Sequence, residues 1–136
     1  MKIKTANLTS SALDYAVAIA KGMRKEDIKL PWRKDGSLYT NLRDEEGNLN
    51  GRYMTGPDLI FSRMWESGGP ILTEARISRT IDHSGLWIAY YAEGYGEPED
   101  DRKFMQCDRN ELVAGLRCYV AMTLGDEVEI PKELCK

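Results

Sequence analysis

The stretch ILTEARISRTIDHSGLWIAYYA, residues 71–92, decides the fold. From residue 71 to residue 81 the apolar side chains Ile71, Ala75, Ile77 and Ile81 fall on odd positions. Leu72, Glu74, Arg76, Ser78 and Thr80 mostly face the other way, and this two-residue period is that of a half-buried strand. Asp82-His83-Ser84-Gly85 turns the chain, and residues 86–92 return as a second strand. Leu86, Ile88 and Tyr90 line one side of that return strand and Trp87, Ala89 and Tyr91 the other. Apolar residues on both sides predict a central strand or one covered on both faces.

Working towards the N-terminus, Ser67-Gly68-Gly69-Pro70 reads as a stop between this hairpin and a short helix over residues 56–65. Gly56-Pro57-Asp58 opens that helix, since proline suits a first helical turn and an aspartate there complements the positive end of the dipole. The run DEEGNLNG, residues 44–51, is polar and glycine-containing and reads as an exposed loop. Residues 28–32 and 38–42 are strand candidates joined by Arg33-Lys34-Asp35-Gly36-Ser37, whose Asp-Gly pair signals a turn. The first helix spans residues 12–20, with Ser11 and Asp14 in capping-box spacing, Leu13, Val17 and Ala20 as its buried stripe, and Gly22 as its stop.

Towards the C-terminus, residues 94–103 form an acidic, turn-rich loop. Asp108 and Glu111 are spaced to cap a last helix whose stripe is Leu112, Val113, Leu116, Tyr119, Val120 and Leu124, with Arg117 at its edge and Gly125 as its end. An acidic tail follows, with Val128 and Ile130 spaced to hold it against the surface. The expected fold class is α+β: a small antiparallel sheet of one or two hairpins, with the N-terminal and C-terminal helices packed on it.

At 136 residues and 42% apolar content the chain is the size of a single domain, residues 1–136, with a core of its own. A net charge of -3 disfavours general affinity for nucleic acid or anionic membrane. Cys107, Cys118 and Cys135 have no CxxC spacing and no neighbouring histidine, which points to reduced thiols, not to disulfides or a zinc site. The apolar stretch near the N-terminus is interrupted by Asp14 and follows helical spacing, so it reads as mature protein and not as a signal peptide. No apolar run reaches the roughly 18 residues that a membrane span needs.

No catalytic pattern emerges from the side chains. His83, the single histidine, sits in a turn, and Asp58, Glu66, Glu74 and Glu93 have no spacing that requires them to meet. Arginines and aromatics are the stronger candidates, because planar forks and flat faces suit phosphate, carboxylate and base. The candidate ligand-binding set is Trp65, Gly68, Gly69, Arg76, Trp87 and Arg117. Gly68 and Gly69 enter it as a turn that could expose backbone N–H groups, Arg76 as a mid-strand residue opposite the core, and Arg117 as a cation bordering an apolar stripe. The plainer reading keeps Trp87, Tyr90 and Tyr119 in the core and leaves Arg63 and Arg79 solvated. A basic cluster of Lys21, Arg24, Lys25, Lys29, Arg33 and Lys34 near Trp32 could track a nucleic-acid backbone, but Glu26, Asp27 and Asp35 interrupt it.

Leu8-Thr9, residues 12–18 (ALDYAVA), Gly68-Gly69-Pro70-Ile71, residues 117–121 (RCYVA) and residues 124–131 (LGDEVEIP) together resemble the NinX-like family of small lambdoid-phage proteins. The two ends carry the resemblance, while residues 44–51 and 56–65 depart from it. The resemblance implies a phage accessory protein of a bacterial host's cytoplasm, and it brings no catalytic residue and no cofactor. From the residues and this context, the expected activity is non-enzymatic binding of a small anionic ligand, such as a nucleotide-type defence signal. The alternatives are a protein–protein module that modulates a host or phage enzyme and, third, a nucleic-acid accessory factor. A homo-oligomer is compatible with each.

Overall fold

The computed structural model describes residues 1–29, 39–55, 59–92 and 102–135. Its strands are β1 (Lys2–Lys4), β2 (Ile28–Lys29), β3 (Tyr39–Arg43), β4 (Leu49–Thr55), β5 (Ile77–Ile81), β6 (Trp87–Tyr91), β7 (Lys103–Asp108) and β8 (Glu127–Glu129). Its helices are α1 (Ser10–Ala20), α2 (Trp65–Glu74) and α3 (Glu111–Leu124). The strands pair antiparallel in three small sheets, β1-β8, β2-β3-β4 and β5-β6-β7. This is the α+β arrangement expected, with the two hairpins placed in separate sheets.

The hairpin of residues 77–91 forms as its alternation requires, in the register Ile77↔Tyr91, Arg79↔Ala89 and Ile81↔Trp87. Asp82 builds its turn by accepting from Ser84 N at 2.8 Å, Ser84 Oγ at 2.6 Å and Leu86 N at 3.0 Å. These donors, the Ser84 hydroxyl first, hold its carboxyl below the usual range. β6 is central, as its two apolar sides predicted. Its second neighbour, β7, was hidden in the sequence by the acidic run before it and by a bulge. Ala89 faces Gln106 but Tyr91 faces Lys103, and Phe104 at the slip has φ 58. Residues 93–101, most of the expected acidic loop, lie outside the described residues.

The segment before the hairpin departs from expectation. Residues 59–64 form turns in place of the end of a helix, and Gly56-Pro57-Asp58 lie outside the described residues. Helix α2 begins where that helix was expected to end and runs straight through Ser67-Gly68-Gly69-Pro70. Ile71, Leu72 and Glu74 are therefore helical, and the strand begins only at Ile77. Packing overrides local propensity here. A Cβ on Gly68 would lie 2.3 Å from the Phe61 carbonyl oxygen and 3.0 Å from Leu112 Cδ1, so glycine is what lets the helix seat this closely. Arg76, expected mid-strand, instead sits in the turn between α2 and β5 with φ 57.

Residues 44–51 are likewise more ordered than their composition implied. Asp44 Oδ1 accepts from Glu46 N and Asn48 N, both at 2.9 Å, and closes a tight turn. The chain then re-enters the sheet as β4 at Leu49. The preceding hairpin is the expected one, with Ile28 opposite Thr40, and its 33–37 turn lies outside the described residues. Asp27 and Arg43 tie its base through bonds of 2.7 and 2.8 Å, and the Arg43 guanidinium holds the Asp27 carboxyl below the usual range.

Helix α3 is the hub, packing on α1, α2 and all three strands β5–β7. Its small residues Ala114, Gly115, Cys118 and Ala121 are buried along with Leu112, Leu116 and Val120, so it buries far more than one stripe. Its cap is Asn110, which accepts from Val113 N at 3.0 Å, and not Asp108. Asp108 supports the turn one step earlier by accepting from Asn110 N at 2.8 Å. Gly125 (φ 98) ends the helix where the sequence indicated. The tail then pairs with β1, Ile3 opposite Val128, and buries Val128 and Ile130. Helix α1 packs chiefly on α3 and buries Leu13 and Val17. Asp14, the expected capping partner of Ser11, instead points into the core and accepts from Ser62 N at 2.8 Å.

Candidate functional site on helix α2 and strand β5

Strand alternation places Arg79 on the same face as Ile77 and Ile81, and the register adds Trp87, Ala89 and Tyr91. Ile77 and Ala89 are buried on that face beneath α3. Arg79 sits nearer the margin, where its Nε donates to Glu111 Oε1 at 3.0 Å and its Nη1 to the Ile77 carbonyl at 3.1 Å. Its guanidinium stands 6.0 Å from the centroid of the Trp65 ring. Trp65 opens α2, and its ring lies against Gly69 one turn later, where a Cβ would come within 3.1 Å of Cε3. Trp65 is 49% exposed and Ile81 51%, while Trp87 is half-buried against the core. The result is a supported surface: an indole with a glycine beneath and an arginine beside, and an exposed isoleucine on the same sheet face as that arginine.

The electrostatics of this surface are balanced. Glu111 neutralises Arg79, so the site joins flat apolar area to a matched ion pair. Such a surface suits an apolar side chain or ring better than a free anion.

Of the six residues singled out in the sequence, Trp65 stands beside Arg79 and against Gly69, and Trp87 shares only the sheet face of Arg79. Gly68 is buried in the α2 contact with Phe61 and Leu112 and presents no loop N–H groups. Arg117 is buried and donates to the Leu8 carbonyl at 2.9 Å, the Cys107 carbonyl at 2.9 Å and Asp108 Oδ1 at 3.2 Å. It is a cross-brace between α3, β7 and Leu8 in the segment leading into α1. Arg76 is exposed in its turn. Arg79, read as solvated, is the one that sequence reasoning missed. Its signal was available: a charged residue at an inward position of an alternating strand needs a partner.

A second aromatic–arginine contact lies at the far end of β6, where Arg102 stacks 4.4 Å from the centroid of Tyr90. Of the basic cluster, Lys21 lies 5.4 Å from the Phe61 ring centroid, and Trp32, Arg33 and Lys34 lie outside the described residues. Cys118 is buried, which pushes its thiol up to about 12, while Cys107 is exposed. Among the described residues no group of three or more histidine, cysteine, aspartate or glutamate side chains could hold a metal ion. No helix among them is long and apolar enough to cross a membrane.

Fold and surface together define a small α+β protein with an ordered, charge-balanced aromatic face. The family model described as Bacteriophage P22, NinX matches residues 4–123, and the chain belongs to that phage family. The match runs through residues 44–51 and 56–65, which depart from the resemblance read in the sequence, and it ends before residues 124–131, which helped to carry that resemblance. No curated protein matches the chain.

Proposed function

We propose that this protein is a phage accessory factor of the host cytoplasm that works by docking an apolar segment of another protein against Trp65, Ile81 and the Arg79–Glu111 pair. The observation that carries this reading is Trp65: a tryptophan 49% exposed yet held in place by Gly69 and Arg79. Preordered tryptophan and arginine at a surface are the residues that most often dominate protein–protein affinity. Because Arg79 is matched by Glu111, the partner needs apolar area at the centre and no strong charge.

Sequestration of a small anion, such as a nucleotide signal, is the second reading. It is favoured by the Arg102–Tyr90 stack, with exposed Arg76 preceding β5 at the same end of the sheet. An affinity pull-down from phage-infected cells separates the two. The docking reading expects one stoichiometric partner which, once purified, binds the wild-type protein and loses at least about tenfold in affinity, or about 1.4 kcal/mol, to Trp65→Ala. Unchanged binding to Trp65→Ala defeats it. A nucleotide released by heating the purified protein, and missing from the Arg102→Ala variant, would establish the anion reading instead.

A further inference from the structure

A cleft of about 510 Å³ opens between α1, the end of α3 and the tail, and its size is that of a small-molecule site. Tyr15 and Ile19, one turn apart, line it from α1, and Leu124, Val128 and Ile130 line it from the last part of the chain. It exists because the tail pairs with β1, Ile3 opposite Val128, and is thereby carried alongside α1.

One polar group of this cleft has no structural task. Tyr15 is 3% exposed, yet its hydroxyl bonds to no group among the described residues. A buried tyrosine hydroxyl ordinarily finds a partner. Nor is this one sealed off: among the described residues the Ser62 hydroxyl is the one buried side-chain oxygen with neither a partner nor access to solvent. The cleft is the space onto which Tyr15 opens. Burial pushes the pKa of the phenol up, so at neutral pH it keeps its proton and can donate.

The rim carries the charge. Glu129 accepts from the Met1 ammonium at 2.6 Å, and Glu127 stands opposite Lys4 in the register of β1 and β8. Lys25 and Lys132 are exposed at the cleft and form no ion pair among the described residues. Of the groups lining the cleft, the Met1 ammonium and these two lysines meet the carboxylates of Glu127 and Glu129, an excess of one positive charge in a chain of net charge -3. A monoanion neutralises that excess, whereas the phosphates of a nucleotide exceed it. A polypeptide segment would bring a backbone donor and acceptor at every residue against walls that are largely apolar.

We propose that this cleft binds a small monocarboxylate, its apolar chain or ring lying against Ile19, Leu124, Val128 and Ile130. The carboxylate accepts from the Tyr15 hydroxyl, and Lys25 and Lys132 supply the opposing charge. The cleft shares no residue with the Trp65 surface or with the Arg102–Tyr90 stack, so its test leaves both of those readings untouched.

Calorimetric titration of the full chain with octanoate and with phenylacetate is expected to show saturable binding of at least one, about tenfold or more tighter than octanol, and none of AMP. Octanoate alone would select a chain as the apolar part, and phenylacetate alone a ring. Tyr15→Phe is expected to weaken the bound acid at least about fivefold with no loss of melting temperature, because its hydroxyl has no partner in the folded chain to lose. Lys25→Gln combined with Lys132→Gln alters exposed side chains only, and should bring octanoate down to the affinity of octanol. Amide shifts on binding are expected in α1 and over residues 124–132. No saturable binding of either acid at millimolar concentration overturns the proposal, as does equal affinity for octanol or tighter binding of AMP. So does a Tyr15→Phe variant that binds as tightly as the wild type, or shifts centred on Trp65 or Tyr90.

Discussion

Asp14 is a carboxylate inside the core, 2% exposed, with Ser62 N as its donor. Burial raises its carboxyl to about 6, against an unfolded value of about 3.9. Because the folded value is the higher, the stabilisation from the protonated form is complete below about pH 4 and is lost as pH rises through about 6. Two units correspond to about 3 kcal/mol. Asn at this position keeps the acceptor for Ser62 N and has no proton to lose. Urea unfolding at a series of pH values is therefore expected to show Asp14→Asn overtaking the wild type between pH 4 and pH 7, by up to about 3 kcal/mol. No difference between the two curves across that window would mean that Asp14 reaches water. The arginines divide in the same way by surroundings. Arg117→Met leaves the Leu8 and Cys107 carbonyls without their donor and should cost about 3 kcal/mol. Arg76→Gly removes a side chain from a φ of 57 and should stabilise by about 1 kcal/mol in the same titration. Nothing in the spacing of the two arginines separates them; depth does.

Helix α2 shows why elements with mixed signals cannot be read from propensity alone. Two glycines and a proline in sequence mark a stop, and the residues after them alternate like a strand as far back as Ile71. Against that stands the fit of Gly68 under the Phe61 carbonyl and the burial of Ile71 and Leu72 on one helical face. Gly68→Ala decides between propensity and packing. An exposed helical site would gain about 1 kcal/mol from alanine. Here the added Cβ would sit 2.3 Å from backbone oxygen, so a loss of at least about 2 kcal/mol is expected by thermal unfolding. The hairpin of β5 and β6 was legible because alternation and turn chemistry agree, Asp82 and Gly85 supplying what the turn needs. Strand β7 was not, because its bulge breaks the period on which the reading depends. The same limit applies to the candidate site. Trp65 could be nominated as an aromatic, but its support by Gly69 and Arg79 exists only because α2 begins at Trp65 and passes beside β5.

One hydrophobic cluster runs from Leu8 near the start of the chain to Ile130 near its end, with α3 at the centre. The tail belongs to that core: Ile130 is fully buried, and Thr5 N and Oγ1 donate to the Asp126 and Gly125 carbonyls at 2.7 and 2.6 Å. Ile130→Ala is expected to cost about 3 kcal/mol and to lower hydrogen-exchange protection in α1 and α3 as well as in the tail. Protection lost only after Gly125 would show that the tail frays independently. By itself the sequence determined the α+β class, the 77–91 hairpin, the last helix with its glycine stop, the anchoring of the tail through Val128 and Ile130, and the NinX family. All but the family rest on periodicity, caps or turn residues, which act over a few neighbouring positions, while the family rests on the resemblance of short segments such as residues 12–18 and 68–71. The tertiary structure decided the rest: that α2 runs through Gly68-Gly69-Pro70, that Arg117 braces the core while Arg79 stands beside Trp65, and that β7 completes the sheet of β5 and β6. Those outcomes depend on which groups meet across distant parts of the chain, where close packing and the need to pair buried polar groups outweigh local preference.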